Sequence, residues 1–126
     1  MNKQIINTSN APAPIGPYSQ AIKAGGMLFI SGQVAIKPAT SELVVDNIQN
    51  ETEQVMNNLK AILSEAGLGF RHVIKTTIFL KDMNLFASVN EIYGKFFESS
   101  FPARETVAVK GLPKDVNVEI SMIAAE

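Results

Sequence analysis

The chain contains no cysteine. That excludes disulfides, thiolate nucleophiles and Cys-ligated metals together, and for a small domain it favours the cytoplasm. Histidine is almost missing too. His72 stands alone, which excludes a multi-His metal site and argues against a Ser-His-Asp triad. Neither sign of charge dominates: 11 Lys+Arg against 12 Asp+Glu leave a formal net charge of −1. No surplus of cations exists to neutralise phosphates, so nonspecific nucleic-acid binding is disfavoured. No apolar run approaches the roughly 18 residues that cross a bilayer. The first seven residues, Met1-Asn2-Lys3-Gln4-Ile5-Ile6-Asn7, lack the apolar core of a signal peptide. A cytoplasmic protein with no membrane association is expected. Its chemistry must rest on carboxylates, Arg, Lys, Tyr, hydroxyls and backbone amides.

What is present suits one domain spanning 1–126. Hydrophobic residues make up 46% of the chain, enough for a core without covalent staples. Pro12, Pro14 and Pro17 hold the segment before Tyr18 extended. Tyr18–Ala24 and Met27–Gln33 read as strands, and Gly25-Gly26 between them signals a tight hairpin. Pairing Ala24 with Met27 sets Gln20 opposite Ser31 and Tyr18 opposite Gln33, with Tyr18, Gln20 and Ser31 on one face. Residues Pro38–Asp46 read as loop.

From Asn47 to Ala66 the apolar positions Ile48, Val55, Met56, Leu59, Ile62, Leu63 and Ala66 describe one helix face, with Gly67 as its C-terminal cap. The β-branched run Val73–Leu80 reads as a strand. A second helix is expected from Leu85 to Glu98, burying Phe86, Val89, Tyr93, Phe96 and Phe97. Asn90 stands beside that stripe, and Gly94 weakens the helix. The last strands, Glu105–Val109 and Val116–Ile123, are expected to pair antiparallel. Val109 would then face Val116 and Val107 face Val118, with all four valines on the core side. That register sets Thr106 opposite Glu119 on the other face, with Arg104 diagonal to Glu119 and within reach.

The order strand, strand, helix, strand, helix, strand, strand implies an α+β fold: a mixed sheet with two helices packed on one face. The other face, expected to carry Arg104, Glu119, Tyr18 and Ser31, is either solvated or an interface.

Six segments of the chain resemble the RidA (YjgF) family. They are Ile15-Gly16-Pro17-Tyr18-Ser19-Gln20-Ala21, Ile30-Ser31-Gly32-Gln33, Lys75-Thr76-Thr77-Ile78-Phe79-Leu80-Lys81-Asp82, Val89-Asn90-Glu91-Ile92-Tyr93, Phe101-Pro102-Ala103-Arg104 and Leu112-Pro113-Lys114-Asp115-Val116-Asn117-Val118-Glu119-Ile120. Each is short, but together they cover essentially the whole chain in the family's order. The resemblance implies a chorismate-mutase-like fold assembled as a homotrimer with ligand clefts between subunits. It implies hydrolysis of reactive enamines and imines, such as 2-aminoacrylate, to 2-keto acids and ammonia, with no cofactor or metal. It also implies that Arg104 holds the substrate carboxylate and that Glu119 positions or activates water. Tyr18, Ser31, Gly32 and Asn90 match further cleft positions, and so does Thr106. There the chain departs from the pattern, since many deaminase members carry Ser-Cys where this chain has Glu105-Thr106.

The residues themselves leave plainer readings open. Arg104 could be a surface cation or pair with Glu119, and Glu119 an ordinary solvated carboxylate. Yet a guanidinium fork suits a carboxylate better than an ammonium does, and a carboxylate beside water can take its proton. Gly32 admits close backbone approach or marks a bulge. Ser31 and Thr106 could hydrogen-bond a ligand. Tyr18 is either a cleft wall or a half-buried strand residue, and Asn90 either a helix-surface amide or a bond across a subunit boundary. His72 is read as non-catalytic, Lys75, Lys81 and Lys114 as solvated, and Phe96-Phe97 as core. Three functions compete: an imine deaminase, a non-catalytic module binding a small carboxylate such as a 2-keto acid, and an endoribonuclease or translation inhibitor. Composition disfavours the last, with no basic excess and a single histidine.

Overall fold

The computed structural model describes residues 2–126. Six strands form one mixed sheet: β1 (Gln4–Ile6), β2 (Ala21–Ala24), β3 (Met27–Gln33), β4 (Val73–Leu80), β5 (Ala103–Ala108) and β6 (Val118–Ala125). Their order across the sheet is β1-β2-β3-β6-β4-β5. Helices α1 (Ile48–Glu65) and α2 (Phe86–Gly94) pack on one face, giving the expected α+β architecture. β1 was not anticipated; it is three residues long and pairs antiparallel with β2, too short to show alternation.

The hairpin forms as expected. Ala24 pairs with Met27, and Gly25 and Gly26 have φ of 58° and 76°, the positive values a primed turn requires. β2 nevertheless begins at Ala21, so Tyr18 lies outside the ladder and does not face Gln33, whose partner is Ile120 on β6. The hydrogen bond from the Ser31 amide to the Gln20 carbonyl, 2.9 Å, extends the pairing by one step.

α1 buries Val55, Met56, Leu59, Ile62 and Leu63 completely. Asn47 caps its start, its side-chain oxygen accepting the Asn50 amide at 2.7 Å. At its end Gly67 has φ 76° and the Leu68 amide bonds the Leu63 carbonyl at 2.8 Å, a Schellman closure. α2 stops at Gly94, short of the expected Glu98. Beyond it the amides of Lys95, Phe96 and Phe97 bond carbonyls three residues back, and this tighter winding keeps Phe97 buried against Tyr93 and Phe70.

The expected hairpin of the last two strands is not formed. β5 pairs parallel with β4, matching Arg104 to Thr76 and Thr106 to Ile78. β6 inserts between β3 and β4, antiparallel to both. The physical reason lies in burial and connection. Val118, Ile120, Met122 and Ala124 are all 2% exposed or less, which suits the sheet's centre. The polar β5 takes the edge, and α2 supplies the crossover a parallel neighbour needs. Thr106 therefore does not oppose Glu119, Arg104 is not its diagonal neighbour, and the valines do not share a face. Val118 is in the core whereas Val107 is 42% exposed on the open side.

One buried carboxylate ties α1 to β6. Glu51 accepts the Asn117 amide at 2.8 Å, the Asn117 side-chain Nδ2 at 2.7 Å and the Val118 amide at 3.3 Å. Replacing it with Leu strips one buried and two part-buried donors of their acceptor at once, a buried one costing about 1–3 kcal/mol when unsatisfied. A loss of roughly 3 kcal/mol or more is expected in equilibrium urea unfolding at fixed protein concentration. A midpoint equal to wild type would mean that water takes over these bonds.

Candidate active site

The open face of the sheet carries a cleft of about 370 Å³, lined in part by Tyr18, Ser31, Gly32 and Glu119. Its shape comes from a bulge and a strapped loop. Between Ile30 and Gln33 the β3–β6 register slips, so Ser31 and Gly32 together occupy the span of a single β6 residue. The proline segment is strapped down by Gln20, which is 1% exposed. Its Oε1 accepts the Thr8 amide at 2.7 Å, and its Nε2 donates to the Thr8 and Pro12 carbonyls at 3.0 and 2.9 Å. Pro12, Ala13 and Ile15 become an apolar wall. Gln20 itself touches the cleft, so Tyr18, Gln20 and Ser31 border it together, although Tyr18 lies outside the strand pairing that was expected to place it there.

Each polar group has a defined capacity. The Tyr18 hydroxyl accepts the Ile15 amide at 3.2 Å, which leaves its proton for a ligand. The Ser31 hydroxyl donates to the Ser19 carbonyl at 2.6 Å, so toward a ligand it can only accept. Gly32 lies against the Glu119 carboxylate. A Cβ at Gly32 would sit 2.8 Å from Glu119 Cδ, closer than such atoms approach, so glycine is required for this carboxylate position. Burial raises the Glu119 pKa above its ordinary value. Glu119 forms no ion pair among the described residues.

Arg104 is elsewhere. The expectation that it shares the open face with Glu119 is overturned, because its Cα partner Thr76 is fully buried on the helix side. Arg104 projects from edge strand β5 toward α2, with its Cζ 5.0 Å from the Tyr93 ring centroid and 5.7 Å from that of Phe86. Phe86, Asn90 and Tyr93 recur at helical spacing on one stripe of α2. Thr106, two residues along β5, faces the same way, and its buried hydroxyl has no hydrogen-bond partner among the described residues. Arg104 likewise forms no ion pair among them.

The seven candidate residues thus divide into two half-sites on opposite faces. Tyr18, Ser31, Gly32 and Glu119 form one. Arg104, Thr106 and Asn90 lie on the other side, and β4 separates β5 from β6. Sequence reasoning missed the aromatic bed under Arg104, which the spacing of Phe86 and Tyr93 could have revealed. It also missed the Gln20 strap and the Glu51 clasp. His72 accepts the Gly69 amide on Nδ1 at 3.0 Å and does not line the cleft. Among the described residues no helix is long and apolar enough to cross a membrane, and no group of three metal-ligating side chains occurs.

Residues 8–126 match the family model described as endoribonuclease L-PSP. A RutC family protein of Pyrococcus horikoshii is 57% identical over 122 residues, 97% of each chain. The crystal structure of YyfA, a Rid-family protein from Yersinia pestis, superposes with a TM-score of 0.97 at 47% identity, covering 99% of this chain and 100% of that one. The chain belongs to the RidA/YjgF family. The same fold is found in E. coli TdcF, solved with bound serine, with a TM-score of 0.94, 42% identity and 98% of each chain covered.

Proposed function

We propose that this RidA-family chain is a cytoplasmic imine deaminase, hydrolysing 2-enamine and 2-imine acids such as 2-aminoacrylate to 2-keto acids and ammonia. The observation that carries the reading is the pairing of two chemically complementary half-sites. One offers a guanidinium that has no ion pair among the described residues to a carboxylate. The other offers a half-buried carboxylate with a raised pKa beside a small cleft. Because they lie on opposite faces, one ligand meets both only if a second copy brings its Arg104 edge to the Glu119 face. The open sheet face supports such an assembly: Phe29 is 45% exposed and Val107 42%, apolar surface that a further subunit would cover. A homotrimer with its clefts between subunits satisfies both requirements.

In this reading Arg104 of one subunit takes the substrate carboxylate bidentately. The enamine shifts a proton to become the imine, and Glu119 of the neighbour accepts a proton from water as its oxygen bonds to C2. Glu119 passes that proton to the imine nitrogen to complete the carbinolamine, then relays the carbinolamine hydroxyl proton to the amine as the C–N bond breaks, releasing ammonia and the 2-keto acid. Burial brings the Glu119 pKa nearer to neutrality, which improves its exchange of a proton in both directions. The serine bound in TdcF is a three-carbon amino acid that carries the same α-carboxylate and is larger than 2-aminoacrylate by one molecule of water. The deciding experiment supplies imines from an amino-acid oxidase or a serine/threonine dehydratase and follows keto-acid release. Acceleration over a no-protein control is expected, and its absence with several imines, alongside keto-acid binding, would favour a carboxylate-binding module. An endoribonuclease or translation-inhibitor role has little support from the balanced charge and from a histidine outside the cleft.

Thr106→Cys is expected to retain or raise turnover. It also removes a buried unsatisfied hydroxyl, so melting should rise by the equivalent of about 1 kcal/mol. A variant that folds as wild type but hydrolyses no imine would show that the hydroxyl itself handles substrate.

A further inference from the structure

Arg104 lies against two rings and pairs with no acid among the described residues. Tyr93 is 4% exposed, and Thr76 is fully buried. The Tyr93 hydroxyl donates to Thr76 Oγ1 at 3.1 Å. Thr76 is in turn the Cα partner of Arg104 across the β4–β5 ladder. The three residues form a closed triangle: strand to strand by the ladder, strand to helix by the hydroxyl bond, and helix back to strand by the guanidinium carbon 5.0 Å from the ring centroid. Burial is the largest influence on the Tyr93 phenol and raises its pKa, against the opposing effects of the Thr76 bond and the Arg104 charge. The ring therefore stays neutral, and its face remains a receptor for the cation.

The arrangement has a chemical consequence. A guanidinium held by its attraction to a ring spends none of its N–H donors as hydrogen bonds to a protein acid. A salt bridge to a protein carboxylate would occupy those same donors and compete with any incoming acid. Phe86, at 5.7 Å, walls a second side. We infer that Tyr93, fixed by its bond to Thr76, is a positioning residue that sets the position of Arg104 and thereby the affinity of the cleft for a ligand carboxylate. This rests on the carboxylate-seat reading of Arg104 proposed above. It adds that residues with no contact to the ligand govern binding separately from the chemistry at Glu119.

The test compares Tyr93→Leu, Tyr93→Phe, Thr76→Val, the Thr76→Val/Tyr93→Phe double variant and Arg104→Lys with wild type. Two readouts are used: the Kd for 2-oxobutanoate by calorimetry, and kcat and KM for imine hydrolysis. Light scattering and melting confirm assembly. Tyr93→Leu removes the ring and is expected to raise Kd and KM about tenfold with kcat within about twofold. Tyr93→Phe and Thr76→Val keep the ring but lose the bond that fixes it, and each should raise Kd about threefold. The double variant should be no weaker than either single, since all three lack the same bond. Should Tyr93→Leu fail to assemble, the two conservative variants and their double decide the matter.

Unchanged Kd in Tyr93→Phe and Thr76→Val, alongside a weakened Arg104→Lys, overturns the inference and leaves the seat intact. Additive losses in the double variant, or a fall in kcat at constant Kd, overturn it as well. Wild-type affinity in Arg104→Lys removes the seat itself and the inference with it. If wild type binds 2-oxobutanoate without hydrolysing imines, the deaminase reading fails while the Kd series still tests Tyr93.

Discussion

Glu119→Gln is expected to lower imine hydrolysis by about 10²–10⁴-fold, the usual worth of a positioned general base, while leaving 2-keto acid binding intact. The amide is nearly isosteric with the carboxylate, so it fits against Gly32 where Glu119 now lies. No ion pair among the described residues depends on the charge, and burial already disfavours the charged form. The fold and assembly should therefore survive, or gain slightly. What is lost is the ability to take a proton from water near neutral pH. Binding measured by calorimetry with 2-oxobutanoate, set beside hydrolysis in the oxidase-coupled assay, separates the deaminase from a sensor. A variant that binds and hydrolyses as wild type would place water activation at another group.

Local signals were legible where one short segment decides the outcome. Two glycines between two apolar runs gave the β2–β3 turn, and apolar spacing gave α1 with Asn47 and Gly67 at its ends. The C-terminal third was misread for a definite reason. Alternation tells which residues of a strand share a face, but it does not name the neighbouring strand. Val107 and Val118 alternate correctly within their own strands yet never meet. The better clue was connectivity: β4, α2 and β5 make a strand–helix–strand unit, whose strands lie parallel. That same error placed Arg104 beside Glu119. Family likeness named the site residues individually, but it could not assign them to faces, because the assignment follows from β5 standing at the edge with Thr76 as the partner of Arg104. The Gln20 strap and the Glu51 clasp join residues far apart in the chain, so no local pattern announces them.

The division of the site between faces leads to the second large effect. In the proposed homotrimer, Arg104→Ala and Glu119→Gln should each be nearly inactive as the pure variant, the first for want of a carboxylate seat and the second for want of a base. Mixed trimers should recover activity. A cleft formed at a subunit boundary draws Arg104 from one chain and Glu119 from its neighbour. It is intact when the Arg104 edge comes from a Glu119→Gln chain and the Glu119 face from an Arg104→Ala chain. With subunits randomised at equal amounts after unfolding and refolding together, about one boundary in four meets both conditions, so roughly a quarter of wild-type turnover is expected. Mixing the two folded variants without exchange should recover nothing, which controls for residual activity. If each chain instead built its own complete site, every cleft would carry one defect whatever its neighbours, and the refolded mixture would stay as inactive as its parents. That outcome would require Arg104 to cross to the Glu119 face within a single chain, past the rings of Tyr93 and Phe86 that now hold it on the helix side.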